Sequence, residues 1–232
     1  MRMTSRASFV LNLLSAITMM VALSLVFLYA PTEATMGDVQ RVFYFHVSSA
    51  WIGFLAFFVT LLAGVTYLGR RQVFWDMLGA ASAEIGLVFT TMAIITGSIW
   101  AKPTWNAWWP WAQEPRLVLV TVLLLVYLAY FVLRSFVEDE EQRARFAAVY
   151  GILAFSSVPF TFLSVRVWQR LHPVVFDRRG AALSPRMLAV FLFCLFAFTV
   201  LYLALLILRV RLAELNERLA ELKRRAFDNE EG

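Results

Sequence analysis

The sequence predicts an all-α, polytopic membrane protein with six transmembrane helices, a tryptophan-rich loop on the outer side and a helical C-terminal extension in the cytoplasm. Three observations carry this. Of the 232 residues, 61% are apolar and 16% charged, with a mean hydropathy of +0.70, a mixture far from that of soluble domains. The apolar residues gather in six runs, 9–30, 42–68, 77–100, 117–136, 146–167 and 187–208, each near the length of about 20 residues that a helix needs to cross roughly 30 Å of hydrocarbon. Between the runs lie prolines, glycines and charges, as in "PTEATMGD" and "GRRQVFWD", which punctuate helices rather than extend them. There is no internal repeat and no low-complexity linker, so the expected organisation is one membrane domain over 1–208 and an amphipathic tail over 209–232.

Taken in order, the first run has no Ala-x-Ala cleavage pattern after it and reads as a retained span. The second opens near His46 and closes at Arg70 and Arg71. The third carries Glu84 about two turns inside its start, an intramembrane carboxylate for which a functional role and a snorkelling role weigh equally. The fourth is uninterrupted, whereas Pro159 in the fifth is expected to bend that helix. The sixth contains Cys194, the only cysteine, which excludes a disulfide, a CxxC redox pair and a covalent C-x-x-C-H haem site. Beyond it, Leu212, Leu215, Leu219 and Leu222 follow 3, 4, 3 spacing, and Glu214/Arg218 and Glu221/Arg225 stand at i, i+4, so the tail reads as a continuation of the last helix.

Six crossings place both termini on one side. Lys and Arg near the span ends number thirteen on the side of the termini and eight on the other, which assigns the termini to the cytoplasm. The fifth connection dissents, because it puts Arg166, Arg170, Arg178, Arg179 and Arg186 outside. Such a cluster suits an anionic partner.

Five of the eight tryptophans, Trp100, Trp105, Trp108, Trp109 and Trp111, fall within "WAKPTWNAWWPWAQEPRL", residues 100–117. An interfacial aromatic belt normally spreads its rings over several helix ends; this concentration in one connection marks a binding surface. The chain has two histidines. His46 lies 24 residues before Arg70, which at 1.5 Å per residue puts it about 36 Å away, at the outer interface. His172 follows the fifth span by a few residues and so reaches the same rim, with Trp51 and Trp168 near the two histidines.

A ligand that suits this rim is flat, largely apolar, anionic at an edge and able to take two imidazoles. Haem meets all four conditions, with His46 and His172 as axial iron ligands, indoles over the porphyrin, and Lys102, Arg116, Arg166 or Arg170 for the propionates. Zinc fits less well, since neither histidine has the H-x-x-x-H or cysteine neighbours that a tetrahedral site needs. With no cysteine near the rim, the expected group is haem b held noncovalently.

"GSIWAKPTWNAWWPWAQEPRL", "RVFYFHVSSAW" and "VWQRLHP" together resemble the WWD-motif haem-handling membrane proteins of cytochrome c maturation, and most nearly the haem exporter protein C (CcmC) family. The resemblance covers essentially the whole chain. It implies a six-helix fold, His46 and His172 axial to haem, and Trp100, Trp105, Trp108, Trp109 and Trp111 as the cradle, with Glu114 and Arg116 beside it. Ala101 and Asn106 stand where the family favours glycine, and "WAQEPRL" is two residues longer than the family's WDxRL, which sets Glu114 in the aspartate's place. The implied partners are the membrane and ATPase subunits of an ABC transporter, a small single-span membrane peptide, a periplasmic haem chaperone and the lipid bilayer, with no nucleic acid. The chain has no G-x-x-x-x-G-K-[ST] loop, so the expectation is a haem-trafficking component that is not itself an enzyme. Two other readings stay open: a cytochrome b-type anchor of a quinone-linked oxidoreductase, which expects histidines inside spans and often four of them, and a small-molecule transporter gated by the tryptophan loop.

Overall fold

The computed structural model describes residues 5–167, 176–177, 180–181 and 183–230, with side chains over 6–164 and 183–226. Helix α1, Ser5–Ser24, runs into a one-turn π-helical segment, Leu25–Tyr29. Then follow α2 (Gln40–Arg70), α3 (Val73–Trp105), α4 (Pro115–Phe136), α5 (Glu140–Ala154), α6 (Ser157–Val167) and α7 (Pro185–Glu230). Six helical stretches are long and apolar enough to cross a membrane, with α5 and α6 sharing the fifth, Glu140–Ser164. Among the described residues the only strands are β1 (Phe176–Asp177) and β2 (Gly180–Ala181), a two-residue antiparallel ladder.

Local chemistry sets the helix ends. Arg71 takes a left-handed conformation (φ 55°) and donates its N–H to the Tyr67 carbonyl at 2.8 Å, closing α2 so that α3 starts almost at once. Asp139 caps α5, its carboxylate accepting from the Gln142 N–H at 2.7 Å. The break between α5 and α6 falls at Phe155 and Ser156. Pro159 lacks the N–H that would bond to the Phe155 carbonyl four residues back, and the Val158 N–H takes that carbonyl instead at 3.0 Å.

The predicted loop at 100–117 is shorter than expected. Helix α3 continues through Lys102 and Pro103 to Trp105, so Trp100 and Trp105 are helical residues. Asn106 then stops the helix with φ 55°. Asparagine tolerates this left-handed conformation better than most residues.

The centre of the fold is the α2–α3 seam. Gly86 faces Phe57 so closely that a Cβ there would lie 2.6 Å from its Cε1, and a Cβ on Gly53 would lie 2.7 Å from Thr90 Oγ1. In lipid, helices gain contact by such close approach and by hydrogen bonds between them. Ser82 donates to the Ala56 carbonyl at 2.7 Å and pairs with the Tyr202 hydroxyl at 2.7 Å, tying α2, α3 and α7 together. On the other side, Tyr127 of α4 stacks on Phe57 at 3.5 Å between centroids.

At the end of the bundle where α2 turns into α3, Arg134 forks onto Asp76 at 2.5 and 2.8 Å. Glu84, left open between two roles in the sequence, pairs with Arg209 at 2.8 Å. Helix α7 runs unbroken from Pro185 to Glu230, as the leucine spacing predicts, and Arg224 on its extension reaches Glu140 at 3.3 Å. Leu212, Leu215, Leu219 and Leu222 are exposed along it.

Candidate functional site

At the opposite end, α2, α3, α4 and α6 line a narrow cavity of about 50 Å³ that is open to the outside. Helix α2 supplies His46, Ala50 and Phe54; α3 supplies Ala93, Ile94, Gly97, Trp100, Ala101 and Trp105. Trp109 comes from the connection, Arg116, Leu117 and Val120 from α4, and Thr161 from α6. From His46 to Phe54 the wall descends about 12 Å along α2, so the cavity reaches into the apolar part of the bundle.

His46 is held by α3. Its Nδ1 lies 2.9 Å from the Ala93 carbonyl oxygen and 3.4 Å from Thr96 Oγ1. A carbonyl only accepts, so Nδ1 carries the proton and Nε2 carries the lone pair in the neutral ring. Metal-binding histidines are oriented in this way, with one ring nitrogen donating to a carbonyl and the other given to the metal. Room for the ring comes from Gly97, where a Cβ would stand 2.8 Å from the imidazole Cε1.

The five tryptophans divide. Trp100 is buried and meets Trp105 edge to face, with centroids 5.2 Å apart and planes at 86°. These two and Trp109 line the cavity. Trp108 and Trp111 do not line it and are 58% and 64% exposed. Trp51, placed near His46 by sequence, turns toward α7 and donates to Thr199 Oγ1 at 3.1 Å.

Of the charged residues, Arg116 is in the cavity wall. Glu114 is fully buried at the start of α4 and is not part of the wall. Lys102 points along its own helix to Asn106, 3.4 Å from both the backbone oxygen and Oδ1, which is the position of a cation on helix-end carbonyls. Ala93, Gly97 and Ala101 recur at intervals of four on α3 and line the cavity with small side chains; sequence reasoning missed this stripe, although the spacing was available. His172, Trp168 and Arg170 lie outside the described residues, as do the side chains of Arg166, Arg178 and Arg179.

Fold and cavity define a class: a multi-pass membrane protein whose helix ends frame a pocket lined, among the described residues, by His46 and indole walls. Residues 1–225 match the family model described as CcmC, Heme exporter protein C, and the chain belongs to that family. It is 33% identical over 178 residues to Heme exporter protein C of Bradyrhizobium diazoefficiens, covering 76% of this chain and 67% of that protein. Heme exporter protein C of Paracoccus denitrificans is 33% identical over 187 residues, covering 75% and 73%. That of Escherichia coli (strain K12) is 30% identical over 173 residues, covering 75% and 69%.

Proposed function

We propose that this protein holds haem b, noncovalently, in the cavity floored by His46 and α3, and delivers it in cytochrome c maturation. The observation that carries the reading is the Nδ1 to Ala93 carbonyl contact of 2.9 Å, which gives Nε2 of a cavity-lining histidine the ligand lone pair. The residue types that line the cavity suit the cargo. Trp100, Trp105 and Trp109 offer flat apolar faces to a porphyrin, the rest of the wall is mostly aliphatic or aromatic with Thr161 as a polar exception, and Arg116 provides one cation for a propionate. His172 is the second axial ligand in this reading. Trp108 and Trp111, which face outward, serve as part of the rim met by the receiving protein.

In this reading the cavity opens to the periplasm, the termini and the α7 extension lie in the cytoplasm, and the protein sits in the inner membrane. Haem passes to a periplasmic haem chaperone. The partners are the membrane and ATPase subunits of an ABC transporter, which would supply the energy for release, and a small single-span peptide. The chain itself acts as a carrier and carries out no bond-making step.

The test is a visible spectrum of the detergent-solubilised protein from haem-replete cells beside His46→Ala and His172→Ala. Either substitution shifts the Soret and alpha bands or strips the pigment. Unchanged bands in both variants exclude axial ligation by this pair, and quinol-dependent reduction with turnover would favour an oxidoreductase anchor instead.

A further inference from the structure

We infer that Gly97 is a positioning residue for His46: the missing side chain lets the imidazole lie against α3, reach the Ala93 carbonyl and aim Nε2 along one direction into the cavity. The inference rests on the reading of His46 as an iron ligand and adds the part that fixes its geometry. A Cβ on Gly97 would stand 2.8 Å from Cε1, 3.1 Å from Nδ1 and 3.8 Å from Nε2 of His46. Carbon atoms in good contact sit about 3.5–4.0 Å apart, so the whole near edge of the ring would have to back away.

A helical side chain covers the turn on the N-terminal side of its own Cα. A side chain at 97 would therefore cover the turn that contains Ala93, whose carbonyl is the ring's acceptor. Glycine at 97 thus does two things at one place, clearing the space for the ring and uncovering the oxygen. Gly53 and Gly86 are different, since their absent side chains make room for Thr90 and Phe57 on the packed helix seam.

The chain has two histidines, so ¹⁵N-histidine labelling of the full-length protein in detergent gives two ring systems, assigned by His172→Ala. In the haem-free wild type, His46 is expected as the neutral tautomer protonated on Nδ1. A His46 ring protonated on Nε2 overturns the inference without needing any variant to fold. In Gly97→Ala, the Nδ1 signal is expected to lose its hydrogen-bonded shift, and the haem-loaded protein to show the band shift or pigment loss of His46→Ala. The double variant is expected to match His46→Ala alone, because the two substitutions act through one ring.

If His46→Ala changes the haem spectrum while Gly97→Ala leaves both the ring signals and the bands as in wild type, this inference falls and the haem-ligand reading stands. If the ring signals respond to Gly97→Ala but neither variant alters the bands, the packing stands and the ligand reading falls, taking the positioning role with it. Additive effects in the double variant also overturn the inference, since Gly97 would then act through something other than His46.

Discussion

Gly86→Ala places a methyl group where the α2–α3 seam has no room. The new carbon would lie 2.6 Å from Phe57 Cε1, 2.8 Å from Cδ1 and 3.2 Å from the Ala56 Cβ. Phe57 cannot simply rotate out, because Tyr127 is stacked on its other face at 3.5 Å and 14°. Overpacking of this kind costs about 1–3 kcal/mol, and a clamped ring puts the cost in the upper half of that range. Alanine returns up to about 1 kcal/mol of helix propensity, which leaves a net loss of about 1–2 kcal/mol. For a chain of this size each kcal/mol moves Tm by roughly 2–4 °C, so the expected drop is about 2–8 °C. Cys194 is the only cysteine and is fully buried, so a thiol-reactive fluorogenic dye reports unfolding directly in a thermal ramp. Gly69→Ala is the control: a Cβ there meets nothing within 4 Å, and its Tm should stay level or rise. A Gly86→Ala protein that melts with the wild type would refute the claim that the seam is closed at this point.

Asp76→Ala leaves Arg134 with its fork unmatched in a pair whose side chains are 16% and 11% exposed, and should cost about 3–5 kcal/mol. Glu84→Ala breaks a pair joined by one hydrogen bond at 2.8 Å against the two of the Arg134 fork and should lower Tm by clearly less; the reverse order in the same dye assay would contradict this argument. Trp105→Ala removes a cavity wall and should weaken haemin binding roughly tenfold, the equivalent of about 1.4 kcal/mol, whereas Trp111→Ala should bind as wild type in a fluorescence-quenching titration. Equal losses would mean that exposed and lining indoles do not differ in role. Deleting 212–232, which removes the exposed leucine stripe but no cavity residue, should leave the visible spectrum of the loaded protein unchanged.

The membrane architecture was legible because its cause is local. Runs of apolar residues near bilayer length give spans, and leucines at 3, 4, 3 spacing give the α7 extension. Pro159 marked its helix break through the hydrogen bond it cannot make. The end of α3 was harder to read. Proline and lysine at 102–103 look like loop, but a helix accepts both near its C-terminus, and only the left-handed Asn106 ends it. The gathering of His46, Trp100, Trp105, Trp109 and Arg116 around one cavity followed from their shared rim. Which indoles turn inward did not, because the orientation of Trp108, Trp109 and Trp111 depends on the path of an irregular connection that has no period. The partner of His46 was also invisible: Ala93 is 47 positions away and contributes a backbone oxygen, for which no side chain leaves a trace.

His46 belongs to α2 and its acceptor to α3, so the aim of the imidazole is recorded in how those two rods sit against each other. Sliding one past the other by a single residue's rise, about 1.5 Å, would pull the ring off its carbonyl. The aim of that imidazole and the register of two helices are then one mechanical variable, adjustable by any force that shifts either rod, wherever along its length that force is applied.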